Sequence, residues 1–214
     1  MPFRNDLGHH DNQSAEYCDL KRASNRMNKD QGVDWTRIPA PIDDGKADHL
    51  LHAIVPPVPL AATDGSLVTL AKLTGIAVVY VYPMTGRPDT PLPEEWDMIP
   101  GARGCTPQAC AFRDHFAELQ ALHVDHLFGL STQESVYQQE AAERLHLPYP
   151  LLSDHERTFA EALELPAFDI NGTTFLKRLT LIIDAGKIVN VFYPVFPPDK
   201  NASAVIAWLK TYQR

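Results

Sequence analysis

Strand-like and helix-like segments alternate along most of the chain. The continuous β-branched and aromatic run AVVYVY, over 77–82, is typical of a strand buried on both faces, so we expect it to be central. Between Pro107 and Leu122, apolar residues recur at the spacing of one helix face and predict an amphipathic helix. The same criteria predict a short strand over Leu127–Leu130 and helices over Gln133–Leu145, Arg157–Leu163 and Ala202–Tyr212.

Two apolar segments in the last quarter of the chain predict a β-hairpin. They are Leu179–Ile183 and Ile188–Tyr193, and the linking sequence DAGK contains Gly186, which can adopt a positive φ. Helices between strands favour a layered α/β fold. From the residues alone we expect a mostly parallel sheet with this one antiparallel hairpin.

The first part of the chain differs from the rest. Residues 1–34 are mostly polar without apolar periodicity, and we expect a mobile tail. Between Asp43 and Ile54 the apolar residues fall at near-helical spacing, which predicts a short docking helix ended by the Pro-rich sequence VPPVPL. The expected organisation is an N-terminal extension over 1–54 and a domain over 55–214.

Composition narrows the class of protein. With 214 residues, of which 44% are hydrophobic, the chain is large enough to bury a core. The net charge of −8 disfavours binding to nucleic acids or anionic membranes. No apolar run approaches the roughly 18 residues of a membrane helix, and the N-terminal sequence lacks the apolar centre of a secretory signal. We therefore expect a soluble, cytoplasmic protein.

The three cysteines suggest chemistry rather than a disulfide scaffold, because they are few and unevenly spaced. Cys105 precedes Thr106, a good N-cap, and Pro107, a good first helical residue. A helix N-terminus at Cys105 would favour a thiolate over a thiol. Arg103 is placed to add positive charge there or to point into solvent, and Cys18 in the tail is expected to be an incidental thiol.

Cys110 follows Cys105 by five residues, which in an intact helix separates their Cα atoms by roughly 8 to 9 Å. A disulfide needs about 7 Å or less, so forming one requires the first turns to unwind. A thiolate that reacts with a hydroperoxide becomes a sulfenic acid, and a second thiol condenses with it to a disulfide. The alternatives are that both cysteines are small buried hydrophobes, or, less consistent with the spacing, zinc ligands.

The sequence here resembles the peroxiredoxins, specifically the bacterioferritin comigratory protein or PrxQ type. The resemblance centres on CTPQACAFRD, over 105–114. It extends in order from VPPVPLAATDGSLVTLAKLTG through VVYVYP to FGLSTQ, LPYPLLSD and finally KRLTLIIDAGKIVNVFYPV. It implies a thioredoxin-like fold with a central mixed sheet flanked by helices. It also implies thiol-dependent reduction of hydrogen peroxide or organic hydroperoxides, without a metal or organic cofactor.

The resemblance also implies roles for individual residues. Cys105 corresponds to the peroxidatic cysteine, Cys110 to the resolving cysteine, and Arg178 to the arginine near the peroxidatic sulfur. A guanidinium is always charged, so Arg178 can hold the thiolate and polarise the O–O bond; the alternative is a surface salt bridge. An external dithiol such as thioredoxin would regenerate the enzyme. A monomer is the simplest state, with a dimer as the alternative.

Two features depart from the family pattern. Ala102 stands where the family has Thr or Ser, three residues before the peroxidatic cysteine, so Thr85, Thr90 and Thr106 are candidates to supply that hydroxyl. An insertion over about 84–104, including Trp96, replaces a short loop. This insertion is long enough for a lid or partner-docking loop, or it is passive cover for the helix end.

Two other functions compete with the peroxidase. One is a thiol–disulfide reductase or redox sensor, against which the Cys-x-x-x-x-Cys spacing argues, since such exchange normally uses Cys-x-x-Cys. The other is a non-enzymatic binding module on the same fold, for which the Ala102 substitution is the best support.

Overall fold

The computed structural model of the protein describes residues 33–88 and 90–212. The predicted tail, apart from its last two residues, and Cys18 lie outside the described residues. Trp35–Arg37 forms one turn of 3₁₀-helix in the unit Met1–Arg37, and the compact unit Ile38–Arg214 contains every feature discussed below.

The main element is a seven-stranded mixed sheet in the order β2-β1-β5-β4-β3-β8-β9. A separate two-stranded hairpin consists of β6 and β7. The strands are β1 (Pro59–Ala62), β2 (Leu67–Thr69), β3 (Ile76–Val81), β4 (Val124–Ser131), β5 (Leu151–Ser153), β6 (Ala167–Ile170), β7 (Thr173–Leu176), β8 (Leu179–Asp184) and β9 (Lys187–Phe192).

The prediction of a mostly parallel sheet is wrong. Only the β3–β4 and β4–β5 pairs are parallel, and the other four pairs of this sheet are antiparallel. Parallel pairs need a long crossover, and helices supply it both between β3 and β4 and between β4 and β5. Short links such as the β8–β9 turn allow only antiparallel pairing. The sheet is therefore mixed, which confirms what the family resemblance implied.

The β8–β9 hairpin forms as predicted. Its turn contains Ala185 at φ +48° and Gly186 at φ +77°. A Cβ at Gly186 would lie 2.9 Å from the backbone oxygen of Ala71, so both the conformation and the space require glycine there.

Five α-helices are present in the described residues, and most lie close to their predicted positions. They are α1 (Cys105–Asp114), α2 (Phe116–Ala121), α3 (Ser135–Arg144), α4 (Thr158–Ala162) and α5 (Asn201–Leu209). The single helix predicted over Pro107–Leu122 is wrong, because His115, at ψ 9°, separates α1 from α2. Helical hydrogen bonds continue on both sides of this break: the amide of His115 donates to the carbonyl of Ala111, and the amide of Leu119 donates to the carbonyl of His115.

The docking helix predicted between Asp43 and Ile54 is also wrong. This segment contains only the 3₁₀ turn Asp48–Leu50. Asp43 and Asp44 instead accept hydrogen bonds from backbone amides two residues further on, and Gly45 adopts φ +70°. Such side-chain bonds compete with helix formation. Leu50 is nevertheless fully buried, so the segment docks through this one side chain.

The two faces of the sheet carry separate hydrophobic cores. Alternate residues of β3 divide between them: Ala77, Val79 and Val81 point to one core, and Val78 and Tyr80 to the other. The whole strand is buried, as the AVVYVY run predicts. The core around Tyr80 also contains buried side chains from α1 and α5, including that of Cys105. This arrangement brings α1 and α5 onto the same face of the sheet.

The insertion over 84–104 has a small hydrophobic cluster of its own. The Trp96 ring is buried and packs edge-on against Phe175 of β7, with ring centroids 5.1 Å apart. Phe168 of β6 and the buried Ala102 belong to the same cluster. Trp96 therefore ties the insertion to the β6–β7 hairpin.

Within residues 33–88 and 90–212, no helix combines the length and apolarity that a membrane crossing demands.

Candidate active site

Cys105 is the first residue of α1 and is 5% exposed. The prediction of Thr106 as N-cap is wrong, because Gly104 occupies that position with φ +105°. A glycine tolerates this conformation, and it lets the helix begin earlier than the Thr-Pro signal indicates. The free amides of the first turn and the positive end of the helix dipole therefore lie at the sulfur, as predicted for Cys105.

The Arg178 side chain contacts this sulfur from the start of β8. It lies directly before β8 and is only 3% exposed. Its Nη2 lies 3.2 Å from the Sγ of Cys105, within hydrogen-bond distance. The structure thus places two of the predicted site residues in contact, and the surface salt bridge considered as the alternative for Arg178 is wrong.

The Arg178 guanidinium is fixed by neutral groups. Its Nη2 also donates to the backbone oxygens of Gly101, Ala102 and Arg103, at 3.2 to 3.3 Å. Its Nη1 donates to the Oε1 of Gln108. Among the described residues, no carboxylate lies within ion-pair distance of Arg178. The guanidinium is therefore a buried cation next to the Cys105 sulfur, placed to stabilise negative charge that develops on a group bound there.

A chain of buried polar side chains, which none of the sequence patterns predicted, holds Gln108 in place. The Nε2 of Gln108 donates to the Oδ1 of Asn201 at 2.9 Å, and Thr180 donates its hydroxyl to the same oxygen at 2.7 Å. All three side chains are buried. One signal was available: Gln108 precedes Phe112 by four residues, so it lies on the buried face of α1 where a polar residue is unusual.

The Arg103 side chain does not reach the sulfur. It forms an exposed ion pair with Asp97, and only its backbone oxygen enters the site by accepting from Arg178. Arg103 therefore adds no positive charge next to the Cys105 sulfur, and of the two alternatives predicted for its side chain the structure shows the exposed one.

Ala102 places no hydroxyl beside the sulfur, and only its backbone lies there. The Ala102 carbonyl oxygen accepts a hydrogen bond from the Cys105 thiol at 3.6 Å. Thr85 is buried but donates its hydroxyl to Gln133, and Thr90 is exposed. Thr106 stays next to the sulfur in sequence and is half-buried.

Cys110 lies in the same helix as Cys105, and both thiols are free. It is half-buried against the core that contains Cys105. Burial raises the pKa of the Cys110 thiol above its usual value, although the nearby Arg113 guanidinium opposes this. Cys110 is therefore a protonated thiol at neutral pH in this state of the helix.

Tyr149 fastens α1 next to Cys110. Its hydroxyl donates to the carbonyl oxygen of Ala109 at 2.8 Å and lies 3.2 Å from the hydroxyl of Tyr80. The Tyr80 ring in turn stacks on Phe112 with centroids 4.7 Å apart. Burial raises the pKa of Tyr149, so its hydroxyl stays protonated and able to donate. Unwinding of α1 must break these contacts.

No three His, Cys, Asp or Glu side chains in the described ranges are grouped so that they could hold a metal ion. The chemistry of the site consists of a buried thiol, a fixed cation and a second thiol within one helix.

The fold and this site define a thiol-based redox protein of the thioredoxin-like class. Residues 42–206 match the Redoxin family. The chain is 33% identical over 164 residues to peroxiredoxin Bcp of Escherichia coli (strain K12), which covers 74% of this chain and 94% of that protein. The chain belongs to the redoxin family and, within it, to the peroxiredoxins of the Bcp and PrxQ type, as its resemblance implied.

Two further comparisons agree with this assignment. Chloroplastic peroxiredoxin Q of Oryza sativa subsp. japonica is 30% identical over 150 residues, which span 69% of this chain and 61% of that longer protein. The crystal structure of peroxidoxin BcpB from Mycobacterium tuberculosis superposes with a TM-score of 0.62 at 26% identity, covering 77% of this chain and 98% of that one. These likenesses support the thioredoxin-like fold.

Proposed function

We propose that the protein is a thiol-dependent peroxidase that reduces hydrogen peroxide or organic hydroperoxides. The observation that carries this proposal is the contact of 3.2 Å between the Cys105 Sγ and the Nη2 of the buried Arg178. This contact holds the nucleophilic sulfur against a cation that is in place before the substrate arrives. Such preorganised positive charge stabilises the negative charge that develops as an O–O bond breaks.

In the first step the Cys105 thiolate attacks the terminal oxygen of R–O–OH. An S–O bond forms, the O–O bond breaks, and its electron pair leaves with the RO group, which takes up a proton as ROH. The sulfur is oxidised to a sulfenic acid and the peroxide is reduced to an alcohol or to water. Arg178 faces the leaving oxygen in this scheme.

In the second step Cys110 resolves the sulfenic acid. Its thiolate attacks the Cys105 sulfur, so that an S–S bond forms, the S–O bond breaks and the hydroxyl leaves as water. Because both residues belong to α1, the helix must unwind to bring the sulfurs together. Release of the Ala109 carbonyl from Tyr149 is part of that change.

An external dithiol, of the thioredoxin kind, then reduces the disulfide and restores both thiols. Since the resolving thiol lies in the same chain, the cycle needs no second subunit, and we propose a monomer as the working unit. We place the cycle in the cytoplasm, where dithiol reductants keep cysteines reduced.

The test is a coupled assay with thioredoxin, thioredoxin reductase and NADPH, in which hydrogen peroxide drives NADPH consumption. Cys105→Ser should abolish the activity. Reduction of the insulin disulfides in the absence of peroxide, together with no peroxide turnover, would instead identify a disulfide reductase. Activity in neither assay would favour the binding module.

A further inference from the structure

Asn201 is the first residue of α5, and its side chain is buried between the two elements that carry the reactive centre. Its Oδ1 accepts a hydrogen bond from the Nε2 of Gln108, in α1, at 2.9 Å. The same oxygen accepts from the hydroxyl of Thr180, in β8, at 2.7 Å. Cys105 begins α1, and Arg178 lies directly before β8. One carboxamide oxygen of α5 therefore joins the helix of the sulfur to the strand of the guanidinium.

The Gln108 amide has to face Arg178 with its oxygen. A guanidinium carries only donors, and the Nη1 of Arg178 donates to the Oε1 of Gln108. The Nε2 of Gln108 then points the other way and, because it is buried, needs an acceptor there. The Oδ1 of Asn201 is that acceptor. A donor at position 201 would favour the opposite orientation of the amide, with its NH₂ group against the guanidinium.

The bond from Nη1 to Gln108 fixes the orientation of the guanidinium. The three backbone oxygens that accept from Arg178 all bind its Nη2, so they hold one corner of the group. Its Nε is buried without a hydrogen-bond partner among the described residues. The side chain also lines an apolar cavity of about 370 Å³, whose walls include Pro100 and Phe168. Loss of the Gln108 bond therefore lets the guanidinium rotate and moves Nη2 from its place 3.2 Å from the Cys105 Sγ.

We propose that Asn201 is a positioning residue for the peroxidase reaction. Its Oδ1 holds the Gln108 amide in the orientation that fixes Arg178, and the fixed guanidinium stabilises the negative charge that develops as the O–O bond of the peroxide breaks. Asn201 makes no hydrogen bond to Cys105 or Arg178 itself, so it acts through Gln108. This role rests on the proposed peroxidase function.

The test compares the effect of Asn201→Leu, which removes the acceptor, on two reactions of Cys105 in the full chain. Oxidation by hydrogen peroxide moves negative charge onto the leaving oxygen, where Arg178 is placed to stabilise it. Alkylation by iodoacetamide breaks no O–O bond and reports only the access to the sulfur and its ionisation. Both second-order rate constants are measured where they no longer change with pH. The ratio of the peroxide constant to the alkylation constant should fall about tenfold, a smaller loss than removal of the donor itself would cause.

A double-mutant cycle shows whether Asn201 acts through Gln108. Gln108→Leu removes the acceptor of the Nη1 bond directly and should lower the same ratio about tenfold. Adding Asn201→Leu to Gln108→Leu should lower the ratio no further, because no amide remains to be oriented. An equal fall in both backgrounds would mean that Asn201 affects the reaction without Gln108, which contradicts the proposal.

Val205→Ala is the matched control for lost stability. Val205 is buried in the apolar core one turn after Asn201, so the change weakens the packing of α5 but keeps the amide. It should lower the Tm and keep the wild-type ratio. If Asn201→Leu does not fold, Asn201→Ala removes the same acceptor and takes its place. A wild-type ratio in the folded variant overturns the role of Asn201, whereas a wild-type Cys105 that does not react with hydrogen peroxide contradicts the peroxidase function itself.

A spectroscopic measurement tests the hydrogen bond without any peroxide. In nitrogen-15-labelled protein, the side-chain NH₂ signals of Gln108 are identified by their loss in Gln108→Leu. They should exchange slowly with solvent in the wild type and in Val205→Ala, as buried and hydrogen-bonded amide hydrogens do. In Asn201→Leu they should exchange about tenfold faster. Unchanged exchange in that variant would show that Asn201 does not hold the amide and would overturn the proposal.

Discussion

The Nη2 of Arg178 lies 3.2 Å from the Sγ of Cys105, although 73 positions separate the two residues in the sequence. Three backbone oxygens surround the same Nη2, and Gln108 accepts a hydrogen bond from the Nη1. The cation is therefore fixed by the fold rather than recruited by the substrate, and little reorganisation is needed when negative charge moves onto the peroxide oxygen.

Replacement of Arg178 by Lys should slow the oxidation of Cys105 by hydrogen peroxide by about 10² to 10³. An ammonium is a point charge and cannot bond the sulfur, Gln108 and three carbonyls from one planar fork. The rate is measured by rapid quenching and mass spectrometry, with a thermal melt to confirm folding. Arg103→Lys, at an exposed arginine, is the control and should stay near wild type. A wild-type rate for folded Arg178→Lys would remove Arg178 from the chemistry.

The neutral side chain at position 108 leads to a second prediction. Gln108→Glu brings a carboxylate against Arg178, where it neutralises much of the positive charge that faces the reacting oxygen. We expect the reaction of Cys105 with hydrogen peroxide to slow about tenfold, because less positive charge then stabilises the negative charge that develops on the peroxide. Gln120→Glu makes the same charge change at an exposed position of α2 and should have no effect. An unchanged rate in Gln108→Glu would show that the reactivity of the Cys105 sulfur does not depend on the net charge of residue 108 and Arg178 together.

Tyr149→Phe should weaken the native fold and speed the resolving step. The change deletes the hydroxyl bond to Ala109, a net loss of about 1 kcal/mol. For a chain of this length that corresponds to a fall of about 2 to 4 °C in Tm. Because α1 then unwinds more easily, the disulfide should form faster after a single dose of peroxide. Tyr137→Phe is the control, as the Tyr137 ring contacts Arg87 away from α1. Slower disulfide formation in Tyr149→Phe would mean that Tyr149 assists the rearrangement.

The pH dependence of the resolving step follows from Cys110. Burial raises the pKa of its thiol above the ordinary value while α1 is intact. In the unwound helix that burial is reduced, but the thiolate is still the attacking form. Below that pKa the thiolate fraction rises about tenfold for each pH unit. The rate of disulfide formation after sulfenic acid formation should therefore rise steeply from pH 6 to pH 8. Stopped-flow traces of the second phase check this, and a flat profile would show that helix unwinding, not thiol ionisation, limits the step.

The sequence predicts the elements of this fold where burial leaves a clear periodic pattern. The continuous apolar run of β3 and the DAGK turn of the β8–β9 hairpin were both placed within a residue or two. The β1–β2 and β6–β7 hairpins were missed, because their strands are short and partly exposed and lack a sustained apolar pattern. The predicted start of α1 was also wrong. The Thr106-Pro107 sequence favours a helix that begins at Pro107, whereas Gly104, at positive φ, caps a helix that begins at Cys105.

Within the site, the thiols and Arg178 were found from residue type and family resemblance. The chain from Gln108 through Asn201 to Thr180 was not, because a hydrogen bond across 93 positions leaves no trace in local spacing. The cavity beside Arg178 was equally invisible, since it is assembled from five separate segments. What the sequence cannot predict here is the tertiary placement of polar side chains.

The most direct test of the peroxidase cycle is mass spectrometry of Cys105 and Cys110 after a brief stoichiometric dose of hydrogen peroxide. The wild type should form a Cys105–Cys110 disulfide rapidly, and Cys110→Ser should accumulate a sulfenic or sulfinic acid at Cys105 instead. If both cysteines stay reduced while a free thiol of comparable exposure also fails to react, Cys105 is not an activated thiol and the proposed function is contradicted.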